Sequence, residues 1–243
     1  MTPSAATFNG TAATSLKPLS VLLVGVGNRG RWPVERCRPE HGWQIVGLVD
    51  HSETLLAEAR ALCGLLPSAC FRDVTAALDV TRPQAMIVCT PTVTHVELAK
   101  LGVDRGVAVL IEKGMAPCWR DAVELVRYAA ERRGIVAVAQ NYRYDGVSTL
   151  LRRALGEGES CSIVSPFLID YVQHRVRPQP RTLTYPFASV WDMSCHHFDN
   201  LLHWLGPVAE VTAHGFRAPY TPYEHDNNTS AFLRFRNGVV VNY

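Results

Sequence analysis

The sequence predicts an α/β protein in two parts. An N-terminal doubly wound parallel sheet is expected over residues 19–140, then an α+β domain with a mostly antiparallel, incomplete sheet over residues 141–243. Three observations predict it. Apolar runs of strand length alternate with amphipathic helical stretches up to about residue 140, the pattern of a parallel sheet covered on both faces. Beyond that point strands follow one another without intervening helices, the pattern of an antiparallel sheet. The first apolar run also breaks into G-x-G-x-x-G at residues 25–30, where a strand hands over to a helix.

The elements follow in order. Residues 1–18, rich in Ser, Thr and Ala, lack the charged start and apolar core of a signal peptide and read as a disordered tail. "SVLLVGV" is the first strand, and a helix runs from the glycines to about Arg38. "QIVGLVD" (44–50) is the second strand, followed by the helix "SETLLAEARALCG", a short strand "ACF" and a small helix. "AMIVCTP" (85–91), the helix "THVELAKLGVDRG", "VAVLIEK" (107–113), the helix "WRDAVELVRYAAERRG" and "IVAVAQNY" (135–142) complete the first domain. Right-handed crossovers make this series a doubly wound sheet. In the second part "DGVSTLLRRALGEG" reads as a helix, "CSIVSPFLIDYVQHR" as a long strand, and "WDMSCHHFDNLLHWLG" as a helix stopped by Gly206. "VAEVTAHGF" is a strand, and "TSAFLRFRNGVVVNY" a hairpin turning at Asn237-Gly238.

Composition narrows the partners. A formal net charge of +2 is too small to mark nucleic acid or a membrane surface as the main partner, and no apolar run reaches the length of a membrane span. The seven cysteines (37, 63, 70, 89, 118, 161 and 195) are an odd, scattered set without C-x-x-C. They point to reduced thiols and a cytoplasmic location.

The glycine motif sits in the context that gives it chemical meaning. Gly25 permits the turn, Gly27 lets the backbone approach a pyrophosphate, and Gly30 lets the helix lie close to the strand; Asn28 and Arg29 complete the loop. The helix start supplies unpaired N–H groups to phosphates. Asp50, at the end of the second strand, is placed to accept both hydroxyls of an adenosine ribose and to repel a 2′-phosphate. NAD is therefore expected, with NADP as the alternative that His51 and Ser52 leave open.

Four stretches together resemble one family. "CTPTVTHVELAKLGVDRGVAVLIEKGMA", "AQNYRYDGVSTLLRRAL" and "DMSCHHFDNLLHWLG" stand, after the glycine loop, in the order found in the glucose–fructose oxidoreductase / inositol dehydrogenase / rhizopine-catabolism (Gfo/Idh/MocA) oxidoreductases. The resemblance runs from about Leu19 to the last residue. It implies that Thr90, Pro91, His95, Glu112 and Lys113 line the cofactor site, with Lys113 beside nicotinamide and substrate. It also implies that Asp192 and His196 are an acid–histidine pair, and that Tyr142 and Asp199 contact substrate together with Lys113, Asp192 and His196. Two departures stand out. Gly114 replaces the proline that normally follows the lysine, leaving the bend that aims Lys113 less fixed, and "FASVWD" replaces a glycine-rich run before the aspartate.

The last helix can also be read from spacing alone. At 100° per residue Ser194, Cys195, Phe198, Leu201, Leu202 and Leu205 share one small-to-apolar face, and Asp192, His196, Asp199 and His203 cluster on the other. Two carboxylates and two imidazoles on one stripe suit proton transfer, since a carboxylate can fix an imidazole's tautomer. A solvated helix face is the plain alternative. A metal site would need a third ligand such as His203 or His95, and no metal is expected. His197 lies off the stripe and reads as packing or solvated, and Cys195 as core. Arg175, Arg177 and Arg181 form a basic loop or a clamp for an acidic substrate group; Tyr142, Tyr144, Tyr171 and Trp191 are packing or a surface for a sugar.

The expectation is a nicotinamide-dependent oxidoreductase acting on a hydroxyl or carbonyl of a sugar, polyol or related small molecule. A redox-assisted glycosidase and a non-catalytic NAD-binding regulator are the alternatives. The resembled proteins continue beyond the end of "NGVVVNY". The second sheet is accordingly expected to be short and to invite homo-oligomer formation through its uncovered edge.

Overall fold

A computed structural model of the chain describes residues 17–156, 167–168, 183–184, 187–188, 190–217, 219 and 221–243. The chain divides into two compact units, 1–138 and 139–243. Most of the tail, Cys161, Tyr171, the loop bearing Arg175, Arg177 and Arg181, and most of the strand expected at 161–175 lie outside the described residues. No helix among the described residues is long and apolar enough to cross a membrane.

In the first unit six strands pair in parallel: β1 (Leu19–Val24), β2 (Trp43–Val49), β3 (Cys70–Phe71), β4 (Ala85–Val88), β5 (Ala108–Ile111) and β6 (Val136–Val138). Their order is β3-β2-β1-β4-β5-β6. Helices α1 (Arg31–Arg36), α2 (Glu53–Cys63), α3 (Val74–Thr81), α4 (His95–Asp104) and α5 (Trp119–Glu131) supply the crossovers. Continuous apolar runs become strands because the sheet is covered on both sides. Leu22, Val24, Met86 and Val88 join Ala99 and Leu125 in one core cluster, while Val21, Leu23 and Ile87 join Val34 and Leu56 in the other. Each Val, Leu, Ile or Met side chain among them contributes about 1.5–3 kcal/mol by leaving water.

Local signals set the helix ends. Ser52 Oγ accepts the Leu55 N–H at the start of α2, and Gly64 closes that helix in the left-handed conformation at φ +67°. Asp73 caps α3 through the Ala76 N–H. Two elements are shorter than their patterns predict. α1 ends at Arg36 because Cys37 is already extended. The strand expected at 135–142 keeps only Val136–Val138, and a 3₁₀ turn at Asn141–Tyr144 replaces its end.

The second unit holds α6 (Gly146–Gly156), β7 (Phe167–Leu168), α7 (Cys195–Leu205), β8 (Val208–Phe216), β9 (Asn228–Phe235) and β10 (Val240–Asn242). The strands form a sheet in the order β7-β10-β9-β8; β9 is antiparallel to both neighbours, and β7 lies parallel to β10. Along β9 the alternation is clean, with Ala231, Leu233 and Phe235 buried and Phe232 and Arg234 exposed. The buried set packs with Leu201 and Leu205 of α7 and with Val241. Gly238, at φ +89°, turns the β9–β10 hairpin, helped by Asn237 Oδ1, which accepts the Val239 N–H.

One departure from the expected pattern bears on function. Residues Val190–Ser194 form a wide π-helical turn, and only from Cys195 does α7 follow α-helical geometry. A phase of 100° per residue cannot be carried through that turn. Leu202, expected on the apolar face, is 47% exposed, whereas His196 and Asn200 are buried.

Candidate active site

In the first unit the strand registers bring the chemistry to one edge. Val24 pairs with both Val49 and Val88, and Val88 with Ile111, so β1, β2, β4 and β5 end at one level. The residues just beyond them are Gly25, Asp50, Cys89 and Glu112. Strand order reverses between β1 and β4, and the crevice at such a switch point is where doubly wound sheets bind ligands.

The glycine loop is built around backbone approach. Gly25 adopts φ +84°, and a Cβ there would lie 2.9 Å from the Cys89 carbonyl carbon. At Gly30 a Cβ would fall 1.9 Å from the Gly25 carbonyl oxygen, far inside contact distance. Gly27 differs: its nearest neighbour for a Cβ is Leu55 Cδ1 at 3.9 Å. The fold itself therefore requires glycine at 25 and 30. At 27 the chain leaves open space over the backbone, a cradle that a side chain would fill. Asn28 and Arg29 lie in the turn, and the Arg31 N–H donates to the Gly27 carbonyl at 3.0 Å.

Asp50 is locked to this loop. Its Oδ2 accepts the Val26 N–H and its Oδ1 the Ser52 N–H, each at 2.9 Å. Each carboxylate oxygen keeps acceptor capacity for a hydroxyl, and the charge is held where a 2′-phosphate would be repelled. Donor set, open cradle and fixed carboxylate fit a dinucleotide.

Beyond β4, Thr94 Oγ1 donates to the Pro91 carbonyl at 2.9 Å and meets Thr90 Oγ1 at 2.7 Å, tying the T-P turn together. His95, placed among the cofactor ligands by resemblance, is wholly buried. Its Nδ1 lies 2.7 Å from the Gly114 carbonyl oxygen and its Nε2 2.9 Å from that of Thr90. The ring thus joins the loop after β4 to the loop after β5, leaving His95 as a support of the cofactor loops and not a surface that meets a ligand. It also anchors the bend beside Lys113, at the position where the family's proline is missing. Glu112 pairs with Arg29 at 3.7 Å. The Cys89 thiol is pushed up to about 12, first by burial and then by the Glu112 charge, which makes it inert.

The second unit holds the other set. His196 is buried, its ring stacked on Tyr142 with centroids 4.4 Å apart and planes 15° from parallel. Its Nδ1 lies 2.7 Å from Gln140 Oε1. Asp192, read as the partner that orients His196, stands in the π-helical turn, where the α-helical spacing used to pair the two does not apply. Asp199 is held by Arg143, whose Nε and Nη2 donate to Oδ2 and Oδ1 at 2.5 and 2.6 Å. Those bonds raise the Arg143 pKa still further, so a substrate meeting Asp199 meets a neutralised pair. His203, on the same stripe, has its pKa lowered by burial and then by Arg152 and Arg143. His197 donates from Nδ1 toward Tyr243 Oη at 2.8 Å, and that hydroxyl donates to Ser194 Oγ at 2.6 Å. Tyr144 and Trp191 are exposed.

Gln140 and Arg143 were the residues that spacing missed. Both lie in "AQNYRY", and a polar Gln at the end of an otherwise apolar strand run was the available signal.

A dinucleotide-binding doubly wound unit followed by an α+β unit with a four-stranded sheet is the class that fold and site define. Residues 19–140 match the profile described as oxidoreductase family, NAD-binding Rossmann fold, and residues 167–243 match the GFO/IDH/MocA C-terminal domain. The chain belongs to the Gfo/Idh/MocA oxidoreductase family. It is 29% identical over 208 residues to inositol 2-dehydrogenase 4 of Saccharopolyspora erythraea, covering 84% of this chain and 59% of that one. It is 28% identical over 224 residues to UDP-N-acetylglucosamine 3-dehydrogenase of Acidithiobacillus ferrooxidans, covering 90% and 64%. A crystal structure of a probable dehydrogenase from Thermotoga maritima shares the fold, with a TM-score of 0.79 at 21% identity over 92% of this chain and 67% of that one. The chain thus spans about three fifths of the length of these curated relatives.

Proposed function

We propose that the protein is an NAD-dependent oxidoreductase that transfers hydride between the nicotinamide and a hydroxyl or carbonyl carbon of a sugar, polyol or related small molecule. The observation that carries this reading is the glycine loop clasped to Asp50 through the Val26 N–H, beside the open cradle at Gly27. Gly25, Gly27, Asn28, Arg29, Gly30, Asp50, Thr90, Pro91, Glu112 and Lys113 would hold the cofactor, and His95 would keep two of its loops in place. When bound, nicotinamide supplies the hydride acceptor or donor.

The chain's own residues handle the proton. In the oxidative direction His196 takes the hydroxyl proton; it is buried, and its Nδ1 faces an amide oxygen, which puts the ring hydrogen on Nδ1 and the basic lone pair on Nε2. Lys113 hydrogen-bonds the reacting oxygen and stabilises charge developing on it. Tyr142 covers one face of the His196 ring, and Asp192, four residues earlier in the chain, would contribute the carboxylate of the acid–histidine pair. The names of the two relatives support a polyol or nucleotide-sugar substrate. Thiols at Cys37, Cys63, Cys70, Cys89 and Cys118 support a reducing, cytoplasmic compartment. The exposed strand β8 at the end of the second sheet supports self-association there.

The test is a titration with NAD and NADP, followed by a panel of inositols and UDP-sugars monitored for NADH. Tight NAD binding with reduced nicotinamide formed from one substrate class is the expected result. Release of an aglycone without net NADH would identify a redox-assisted glycosidase, and binding without turnover a regulator; either would overturn the proposal.

A further inference from the structure

His196 is held by a neutral acceptor. Gln140 lies two residues past β6, just before the 3₁₀ turn that starts at Asn141. It reaches across 56 residues of sequence to place Oε1 2.7 Å from His196 Nδ1. Tyr142, on the same turn, lies flat on the His196 ring. One short segment thus fixes both the plane of the imidazole and one of its nitrogens.

The chemistry of the amide decides the proton's position. A side-chain amide oxygen only accepts, so the ring nitrogen facing it carries hydrogen. A neutral imidazole has one N–H, which leaves the lone pair on Nε2. A carboxylate in the same place would fix the same tautomer but would also stabilise the imidazolium with a full charge and raise its basicity. The amide fixes the tautomer without that charge. Among the described groups near the ring, Asp199 is tied to Arg143, His197 pairs with Tyr243, Tyr142 stacks by its ring, and Asp192 stands four residues before it in the π-helical turn.

We infer that Gln140 is the positioning residue for His196, holding it as the Nδ1–H tautomer so that Nε2 is the basic atom. The functional meaning rests on the reading of His196 as the proton acceptor; the tautomer itself does not.

Long-range proton–nitrogen correlation spectra of the ¹⁵N-histidine-labelled chain test it, with the His196 signals assigned by their loss in His196→Asn. The parent protein should show His196 protonated on Nδ1. Gln140→Leu should weaken that preference and bring up the Nε2–H form. Gln140→Glu should keep the Nδ1–H form and raise the His196 titration midpoint by about one pH unit or more. An Nε2–H tautomer in the parent, from an amide turned to donate, overturns the inference, as does an unchanged tautomer in Gln140→Leu. Should Gln140→Leu fail to fold, Gln140→Glu decides alone, and an unmoved midpoint overturns it. If the spectra behave as expected while turnover ignores His196→Asn, the proton-acceptor reading falls and the Gln140 assignment stands.

Discussion

The two units differ in what their sites are made of. In the first, the glycine loop, the strand ends and Asp50 are fixed by backbone geometry, and the decisive distances run between main-chain atoms and one carboxylate. In the second, side chains from residues 140–143 and from α7 meet around His196 and Asp199, and the decisive distances run between side chains. A site set by backbone tolerates almost no change of residue at a few positions. A site set by side chains depends on the phase of the helix that carries them, and a local change of winding redistributes the partners.

The largest expected effect separates those two kinds of constraint within a single motif. Gly30→Ala places a methyl group 1.9 Å from the Gly25 carbonyl oxygen, a clash with backbone that no rotamer relieves. It should destabilise the first unit by about 4 kcal/mol or more. Gly27→Ala meets no protein atom closer than 3.9 Å and should leave the melting temperature nearly unchanged while weakening NAD binding. Equal thermal stability for the two variants would show that the loop is not held as described.

The next effect belongs to the side-chain site. His196→Asn should lower turnover by about 10²–10⁴-fold with cofactor affinity kept, since it removes a base and leaves the glycine loop untouched. Lys113→Ala should act in the same direction. Steady-state kinetics on the substrate found in the panel, together with NAD titration, checks both. Near-parental turnover in both variants would remove these two residues from the chemistry.

The same contrast explains what could be read from the sequence. Six strands, five crossover helices and the place of Asp50 were legible because burial on both faces of a parallel sheet imposes long apolar runs, and because glycines at 25 and 30 answer a steric demand visible in spacing. The hairpin at Asn237-Gly238 was legible for a similar reason, a turn that requires positive φ. The stripe Asp192–His196–Asp199–His203 assumed uniform α-helical winding; His196, Asp199 and His203 do share the regular helix α7, while Asp192 stands in the π-helical turn at 190–194, so its phase relative to them differs. Nothing in "VWDMS" announces it. The partners Gln140 and Arg143 escaped because they come from a segment 56 residues earlier, and pairings between side chains that distant are set by tertiary packing, not by local pattern. His95 shows the reverse case: the residue was singled out, but its burial between two carbonyl oxygens gives it a different task.

A smaller effect sharpens the account of the first unit. Asp50→Ser removes the charge that disfavours a 2′-phosphate and should shift the NAD-to-NADP preference toward NADP by about tenfold, or about 1.4 kcal/mol. The carboxylate also accepts the Val26 and Ser52 N–H groups, so NAD affinity should fall as well. Fluorescence titration of both cofactors measures the ratio. Equal affinity for NAD and NADP in the parent chain would remove the selective role from Asp50.

The smallest effect concerns stability near neutral pH and rests on His197. Burial lowers its pKa below the ordinary value of 6.5, so the folded chain resists protonating a ring that the unfolded chain protonates readily. As pH falls through about 6.5 the unfolded state binds the proton first, and stability declines until the folded state takes up its own. The contribution is therefore complete above the unfolded value and is lost on acidification. His203, lowered in the same direction by burial and by Arg152 and Arg143, adds to the slope. Glu210, whose pKa is lowered by hydrogen bonding to Arg234, acts only in the carboxylate range, so the two windows separate. Melting temperatures between pH 7.5 and about 5.5 should fall in the parent chain. His197→Gln cannot take up the proton, and its amide can still bond Tyr243 Oη, so its melting temperature should fall less over the same range. Parallel curves for parent and variant would show that the His197 ring is as easily protonated folded as unfolded, and that its burial beside Tyr243 carries no linkage to folding.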